Sequence, residues 1–105
     1  MPKKQPATDG SQNWTFLSNH AHVLVCVAKN PDVRLSEVAA LVGIRERTVH
    51  RIVHELLDAG YISVTKDGRN NVYSVDLDKP LRHPLEADHN IQAIIVPLLK
   101  KVRRA

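Results

Sequence analysis

The sequence predicts a mainly α-helical fold with one small β-hairpin, in the order α-β-α-α-β-β-α. The chain has 105 residues, which gives room for a single hydrophobic core. Because 43% of the residues are hydrophobic but only 4% are aromatic, this core is aliphatic. Apolar residues at 49, 52, 53, 56 and 57 have the spacing of one buried helix face. Alternating β-branched segments on either side of Asp67–Asn70 predict the hairpin.

Short connections separate the predicted elements. In chain order they are helices at 19–30, 37–42 and 46–59, with an extended link at 33–35, then hairpin strands at 61–66 and 71–75, and a last helix from 85 towards 104. Residues 1–13 are polar and contain two prolines and a glycine, so we expect a flexible N-terminal arm. One folded domain at 14–80 and a C-terminal helix with a basic tail at 81–105 complete the expected organisation.

Capping residues set the boundaries of the first two helices. Ser18 precedes an apolar run at 23–28 that stops before Pro31. Such a run is also typical of a buried strand, but its length and its N-cap favour a largely buried helix. Ser36 is the expected N-cap of the second helix. Gly43 ends that helix, because glycine adopts the positive φ of a sharp turn without steric cost.

The third helix has the clearest pattern in the chain. Its five apolar residues lie at i, i+3, i+4, i+7 and i+8, and Gly60 follows its end. The hairpin comes directly afterwards, with apolar and polar residues alternating in Tyr61–Lys66 and again in Asn71–Val75. We therefore expect a helix with one buried stripe, followed by a short antiparallel ribbon.

The predicted last helix carries more aliphatic surface than a small core needs to cover. Pro97 is expected to kink this helix or to split it in two. An amphipathic helix with spare apolar surface is typical of a dimer interface. The alternative is that it packs back on its own domain, against Trp14, Phe16 and the first helix, and both arrangements can hold together. The predicted interface residues are Ile91, Ile94, Ile95, Leu98, Leu99 and Val102.

The stretch from Arg34 to Ile62 has the spacing of a helix-turn-helix. Ala39 is small where two helices would cross, Gly43 makes the turn, and Ile44 fills the core behind it. This stretch resembles the DNA-binding core of winged-helix regulators, and the hairpin that follows resembles their wing.

The resemblance covers about residues 17–76. In size and element order the chain is similar to the ArsR-like and MarR-like groups, and the segment 36–61 is also similar to IclR-type domains. The resemblance implies that residues 14–80 form a winged helix-turn-helix DNA-binding domain.

The third helix presents a polar face opposite its apolar stripe. In helix-turn-helix proteins the N-terminal half of this helix enters the major groove. There Arg47 and Arg51, one turn apart, can each reach the O6 and N7 atoms of a guanine. Arg69, at the hairpin tip, resembles the basic wing residue that touches the minor groove or the backbone. The alternative is that these residues contact no DNA and simply form a solvated helix face and a polar hairpin turn. The predicted DNA-binding residues are Arg45, Arg47, Thr48, His50, Arg51, His54, Lys66, Arg69 and Asn70.

The positive charge lies mainly in the two tails. The net charge is +4, yet residues 10–99 contain nine Lys and Arg against ten Asp and Glu, a net charge of −1. The tails can add non-specific attraction to phosphate, or they can simply be solvated ends. The basic tail residues are Lys3, Lys4, Lys100, Lys101, Arg103 and Arg104.

Metal binding and catalysis have little support in the sequence. His50 and His54 are spaced i, i+4, which can hold zinc, but two ligands do not make a site. Asp88-His89 is only a fragment of the ligand set found on the last helix of ArsR-like sensors. One cysteine, Cys26, excludes an intramolecular disulfide and suits a reducing compartment. No nucleophile–base pair or phosphate loop is present, so we expect neither an enzyme nor a cofactor.

We therefore predict a sequence-specific transcriptional regulator of double-stranded DNA that acts as a homodimer and represses by covering promoters. No apolar run approaches the roughly 18–20 residues of a membrane span, so we expect no membrane partner and a cytoplasmic location, on the nucleoid when DNA is bound. The sequence does not indicate a small-molecule effector; any effector would have to lie between the last helix, the first helix and the DNA-binding core. The alternative is a winged helix that binds another protein, which the net charge of −1 favours.

Overall fold

The computed structural model describes residues 13–99. The elements are α1 (Asn19–Lys29), α2 (Leu35–Val42), α3 (Glu46–Asp58), β1 (Ile62–Asp67), β2 (Asn70–Val75) and α4 (Gln92–Leu99). Helices α2 and α3 form the helix-turn-helix, and the β1–β2 hairpin forms the wing, which confirms the predicted mainly α winged-helix fold. Nearly all of the predicted arm and most of the basic tail lie outside the described residues.

Helix α1 lies at the centre of the fold, in contact with α2, α3, α4 and β2. The Ser18 hydroxyl accepts a hydrogen bond from the Ala21 N–H at 3.2 Å, so Ser18 is the N-cap that the sequence predicts. Val23, Leu24 and Val27 on this helix are buried. The helical alternative for the apolar run is therefore the correct one.

The turn between α2 and α3 depends on Gly43. Its φ of 86° lies in the left-handed region, which glycine adopts without a steric penalty. The Gly43 and Ile44 N–H groups both donate to the Ala39 carbonyl, at 2.8 and 3.1 Å. This turn directs α3 across α2. Four of the five residues of the predicted α3 stripe are buried and the fifth, Leu57, is half-buried; the buried four are Val49, Ile52, Val53 and Leu56.

Two predictions about the start of α2 are wrong. Residues 33–35 form no strand, because the helix already begins at Leu35 and leaves too short an extended segment for a ladder. One backbone bond to the wing remains, from the Tyr73 N–H to the Pro31 carbonyl at 2.8 Å. The N-cap is Arg34 rather than Ser36, and the Glu37 carboxylate accepts the Arg34 N–H at 3.3 Å.

The wing is a regular antiparallel hairpin. Its register runs from Ile62 opposite Val75 to Asp67 opposite Asn70, which leaves a two-residue loop. Gly68 is the first loop residue and has a φ of 65°. At the base of the hairpin Ile62 and Tyr73 are buried, whereas both ends at the tip are exposed. The hairpin therefore anchors by its base and leaves its tip in solvent.

The predicted last helix begins later than expected. It was expected from residue 85, but α4 begins at Gln92. The chain before α4 folds back on itself. The backbone N–H of Leu81 donates to the His89 carbonyl, and the backbone N–H of Ile91 donates to the Lys79 carbonyl, both at 2.9 Å. These hydrogen bonds within the segment occupy backbone N–H and carbonyl groups that a helix would need for its own hydrogen bonds. Within the described residues α4 continues through Pro97, so the expected split at that residue is wrong.

The core tests whether α4 belongs to this domain. Ile95 is 1% exposed and packs with the residues of the central core, whereas Leu41 on α2 is 72% exposed. We expect Ile95→Ala to lower the free energy of unfolding by about 2–4 kcal/mol, because it removes buried methyl groups and leaves a cavity. Leu41→Ala is the matched control and should change stability by less than about 0.5 kcal/mol in urea denaturation. Equal losses for the two variants would contradict this packing of α4.

Candidate nucleic-acid interface

The burial of one face of α3 leaves the opposite face in solvent. Arg47, Arg51 and His54 are exposed on it, and Thr48 is half-buried at its edge. Arg45 is the N-cap residue and is exposed too. The structure therefore places all the predicted α3 residues where a nucleic acid can reach them, with Thr48 reached only in part.

An acidic residue lies at the N-terminal end of α3. Glu46 lies in the first turn, where the positive end of the helix dipole stabilises it. Its Oε2 atom is 3.3 Å from Nε2 of His50, one turn further along. His50 is thus paired within its own helix, and a phosphate would have to compete with Glu46 for it.

A groove of about 430 Å³ separates the start of α2, the exposed side of α3 and the wing. His50, Arg69 and Asn70 line it together, so the structure brings one α3 residue and two wing residues to the same place. Lys66 lies on the exposed part of β1 and is not among the lining residues. The other predicted α3 residues lie outside this groove as well.

Arg34 also lines this groove and was missed from the sequence. It was interpreted only as part of the link before α2. The first helix of a helix-turn-helix crosses the nucleic-acid backbone, so a basic residue at its N-terminus is a signal that the sequence already contained. Arg34 and Arg69 together give the groove two guanidinium groups, and Asp32 and Glu46 give it two carboxylates.

Glu55 is the second residue that sequence reasoning missed. Its carboxylate accepts from Nη1 of Arg51 at 3.2 and 3.3 Å, and its Oε1 atom is 2.7 Å from Nε2 of His20 on α1. The hydrogen bond from His20 holds the pKa of the Glu55 carboxyl below its usual value, partial desolvation opposes this, and the charge of Arg51 lowers the pKa further. The i, i+4 spacing of Arg51 and Glu55 is visible in the sequence, but the contact with His20 is not.

A second, larger groove lies at the other end of α3. It has a volume of about 770 Å³ and runs between the start of α1, the end of α3 and the segment that leads into α4. Leu24, Leu56 and Ile95 form part of its apolar floor, and Glu55 and Arg82 stand at its walls. This is the place where the sequence left room for an effector, and Glu55 connects it to the exposed face of α3.

The residues predicted for a dimer interface divide into two groups. Ile91 and Ile95 are buried in the chain's own core, and Ile94 packs partly against it. Leu98 and Leu99 are 41% and 36% exposed, so these two have apolar surface left. Val102 lies outside the described residues.

Three further features of residues 13–99 concern metal binding, the reactivity of the cysteine thiol and membrane-spanning helices. No three His, Cys, Asp or Glu residues of this part lie close enough together to hold a metal ion. Burial raises the pKa of the Cys26 thiol, which keeps it protonated and poorly nucleophilic. No helix in the described part is both long and apolar enough to span a membrane.

The chain matches the model of a known protein family. The profile of the MarR family matches residues 18–71, just over half of the 105-residue chain. The matched segment begins at the N-cap of α1 and ends within β2, so it contains the helix-turn-helix and the tip of the wing. No curated protein matches the chain.

The Glu55 contacts make a prediction about pH. Since the folded-state pKa of Glu55 lies below the unfolded value, the ionised carboxylate stabilises the fold above the unfolded pKa, and this stabilisation is lost as pH falls through the folded pKa. Glu55→Gln should therefore reduce stability at neutral pH and make no difference in strong acid. In an NMR titration of the carboxyl carbon, His20→Ala should raise the pKa of Glu55, and the control His22→Ala should leave it unchanged. An unchanged pKa in His20→Ala would contradict the contact.

Proposed function

The chain belongs to the MarR family, and we propose that it represses transcription as a homodimer that recognises a specific sequence in double-stranded DNA. Members of this family are DNA-binding transcriptional regulators rather than enzymes. The observation that supports the specific proposal is the exposed basic face of α3 beside a basic wing tip.

Helix α3 is the proposed recognition helix. Its N-terminal half would lie in the major groove, where Arg47 and Arg51 face base edges and Thr48 reaches a base or a phosphate. Within residues 13–99, Arg47 takes part in no ion pair, whereas Arg51 is paired with Glu55. Arg47 is thus ready to bind a guanine as it stands, and Arg51 has to exchange its carboxylate partner first.

The groove between α2, α3 and the wing is the proposed phosphate contact. Arg34 at the start of α2, His50 on α3 and Arg69 on the wing all line it, so a sugar–phosphate strand in the groove would meet a basic group from each element. It would also pass the carboxylates of Asp32 and Glu46, which line the same groove. Arg69 then reaches the minor groove or the adjacent backbone from the wing tip. Lys66, Asn70, Arg45 and His54 would supply the outer contacts.

The charge balance favours DNA binding through contacts of individual residues over non-specific electrostatic attraction. Residues 10–99 carry a net charge of −1, so the domain itself has little non-specific pull on DNA. The same figure is the observation that favours the second candidate, a winged helix that binds a protein partner. Binding to duplex DNA at low salt distinguishes the two candidate functions, because only the DNA-binding candidate predicts it.

A homodimer would place two recognition helices on a two-fold symmetric operator. Half-sites one helical turn apart require centres separated by about 34 Å. Leu98 and Leu99, on the outer side of α4, are the proposed contacts, extended by Val102 beyond the described residues. Repression would follow from covering a promoter with this dimer.

Arginine substitutions on α3 test the recognition helix. A duplex enriched from a random-sequence library by the wild-type protein serves as the probe in a fluorescence anisotropy titration over a salt series. Arg47→Ala and Arg51→Ala should each weaken specific binding by about 1–3 kcal/mol and reduce discrimination against unrelated duplexes. The matched control is Arg82→Ala, which removes the same charge from the wall of the second groove.

The logarithm of the binding constant should fall linearly with the logarithm of the salt concentration. Absence of duplex binding at low salt would contradict the proposed function and favour the protein-binding candidate. Full discrimination retained in both α3 variants would contradict the assignment of the recognition helix alone.

Charged residues on α4 test the dimer. Leu98→Glu with Leu99→Glu should convert a particle of twice the 11.8 kDa chain mass into a monomer in sedimentation equilibrium, because charge buried without a partner disfavours an apolar interface. Leu41→Glu, at an exposed leucine on α2, is the control and should leave the mass unchanged. An unchanged dimer in the α4 variant would contradict the proposed interface.

A further inference from the structure

Glu55 is shared by two basic groups from different helices. On one side it accepts from Arg51, its neighbour one turn back on α3. On the other side its Oε1 atom lies 2.7 Å from His20 of α1, the shortest ion-pair contact in the described part of the chain. His20 thus fixes the carboxylate relative to α1 as well as to its own helix.

The contact with Glu55 draws the Arg51 side chain towards the C-terminal half of α3. The N-terminal half is the part that enters a major groove. Both hydrogen bonds to the carboxylate come from Nη1 alone, so the guanidinium is held at one corner rather than across its full edge. The side chains of Arg51 and Glu55 are 59% and 49% exposed, and a pair this exposed is held weakly enough for DNA to displace it.

We propose that Glu55 restrains Arg51 in the free protein and that His20 sets the strength of this restraint, so that both residues tune DNA affinity without touching DNA. This inference rests on the proposed function, in which Arg51 contacts DNA. When Arg51 binds a base or phosphate it gives up Glu55, and Glu55 keeps His20 as its partner. His20 therefore lowers the cost of releasing Arg51.

The two residues should act in opposite directions. Removal of the carboxylate in Glu55→Gln frees Arg51 and should tighten DNA binding by about two- to threefold, the scale of an exposed i, i+4 ion pair. Removal of the imidazole in His20→Ala leaves Arg51 as the only partner of Glu55 and should weaken DNA binding by about twofold. Simple loss of an acidic charge explains the first effect but not the second.

Asp58 provides a matched control for charge. It is exposed, lies on the same helix three residues after Glu55, and within the described residues takes part in no ion pair. Asp58→Asn therefore removes the same charge without touching Arg51. The proposal predicts a larger gain in affinity for Glu55→Gln than for Asp58→Asn, and equal gains would overturn it.

A double-mutant cycle identifies the coupling. With the enriched duplex at fixed salt, the effect of Glu55→Gln should vanish in the Arg51→Ala background, and the effect of His20→Ala should vanish in the Glu55→Gln background. Circular dichroism checks that each variant is folded. The side chains of His20 and Glu55 are both exposed enough to be substituted without disturbing the core. A Glu55→Gln gain that persists without Arg51 would overturn the inference, as would unchanged or tighter binding in His20→Ala.

The cycle also separates this inference from the proposed function. If Arg51→Ala alone does not weaken binding, the proposed contact between Arg51 and DNA is wrong. If Arg51→Ala weakens binding but shows no coupling to Glu55, the contact stands and only the restraint is wrong.

Discussion

Burial of the α3 stripe is the constraint on which the rest of the structure depends. Val49, Ile52, Val53 and Leu56 are all buried, and each such side chain contributes about 1.5–3 kcal/mol when it leaves water. Any rotation of α3 about its axis would return these residues to solvent, so the orientation of the helix is set by its apolar face. The opposite face, with Arg47, points outward for the same reason. The candidate interface is therefore a consequence of core packing.

The basic surface that results is partly neutralised by the chain itself. Glu46 pairs with His50 and Glu55 pairs with Arg51, so two of the basic α3 side chains that face solvent each have an acidic partner. These pairs are exposed, and exposed pairs contribute little to stability. Under the proposed function their consequence would lie in DNA binding, because a phosphate or a base would have to replace a carboxylate at each of these positions. Affinity and selectivity then depend on individual side chains more than on the overall charge, which is nearly balanced in residues 10–99.

The C-terminal segment shows how one apolar pattern can serve two purposes. Ile91 and Ile95 close the core against α1, and Leu98 with Leu99 continues the same helix into solvent. A sequence pattern alone cannot tell these groups apart, because both obey helical spacing. Within residues 13–99, the large apolar side chains that α4 leaves most exposed are Leu98 and Leu99, and these offer surface for a partner.

The sequence by itself determined the mainly helical class, the helix-turn-helix with its Gly43 turn, the buried α3 stripe and the wing, because these depend on local capping, turn geometry and periodicity. Only the tertiary structure decided the features that depend on distant contacts. The segment before α4 is not helical because its backbone bonds back onto itself, and the chain before the link at 33–35 makes a single bond to the wing, at Pro31, instead of a ladder. Likewise, the contact between His20 and Glu55, 35 residues apart, and the placement of Arg34 and Arg69 along one groove follow from how the helices and the wing pack. Spacing along the chain carries no information about such contacts.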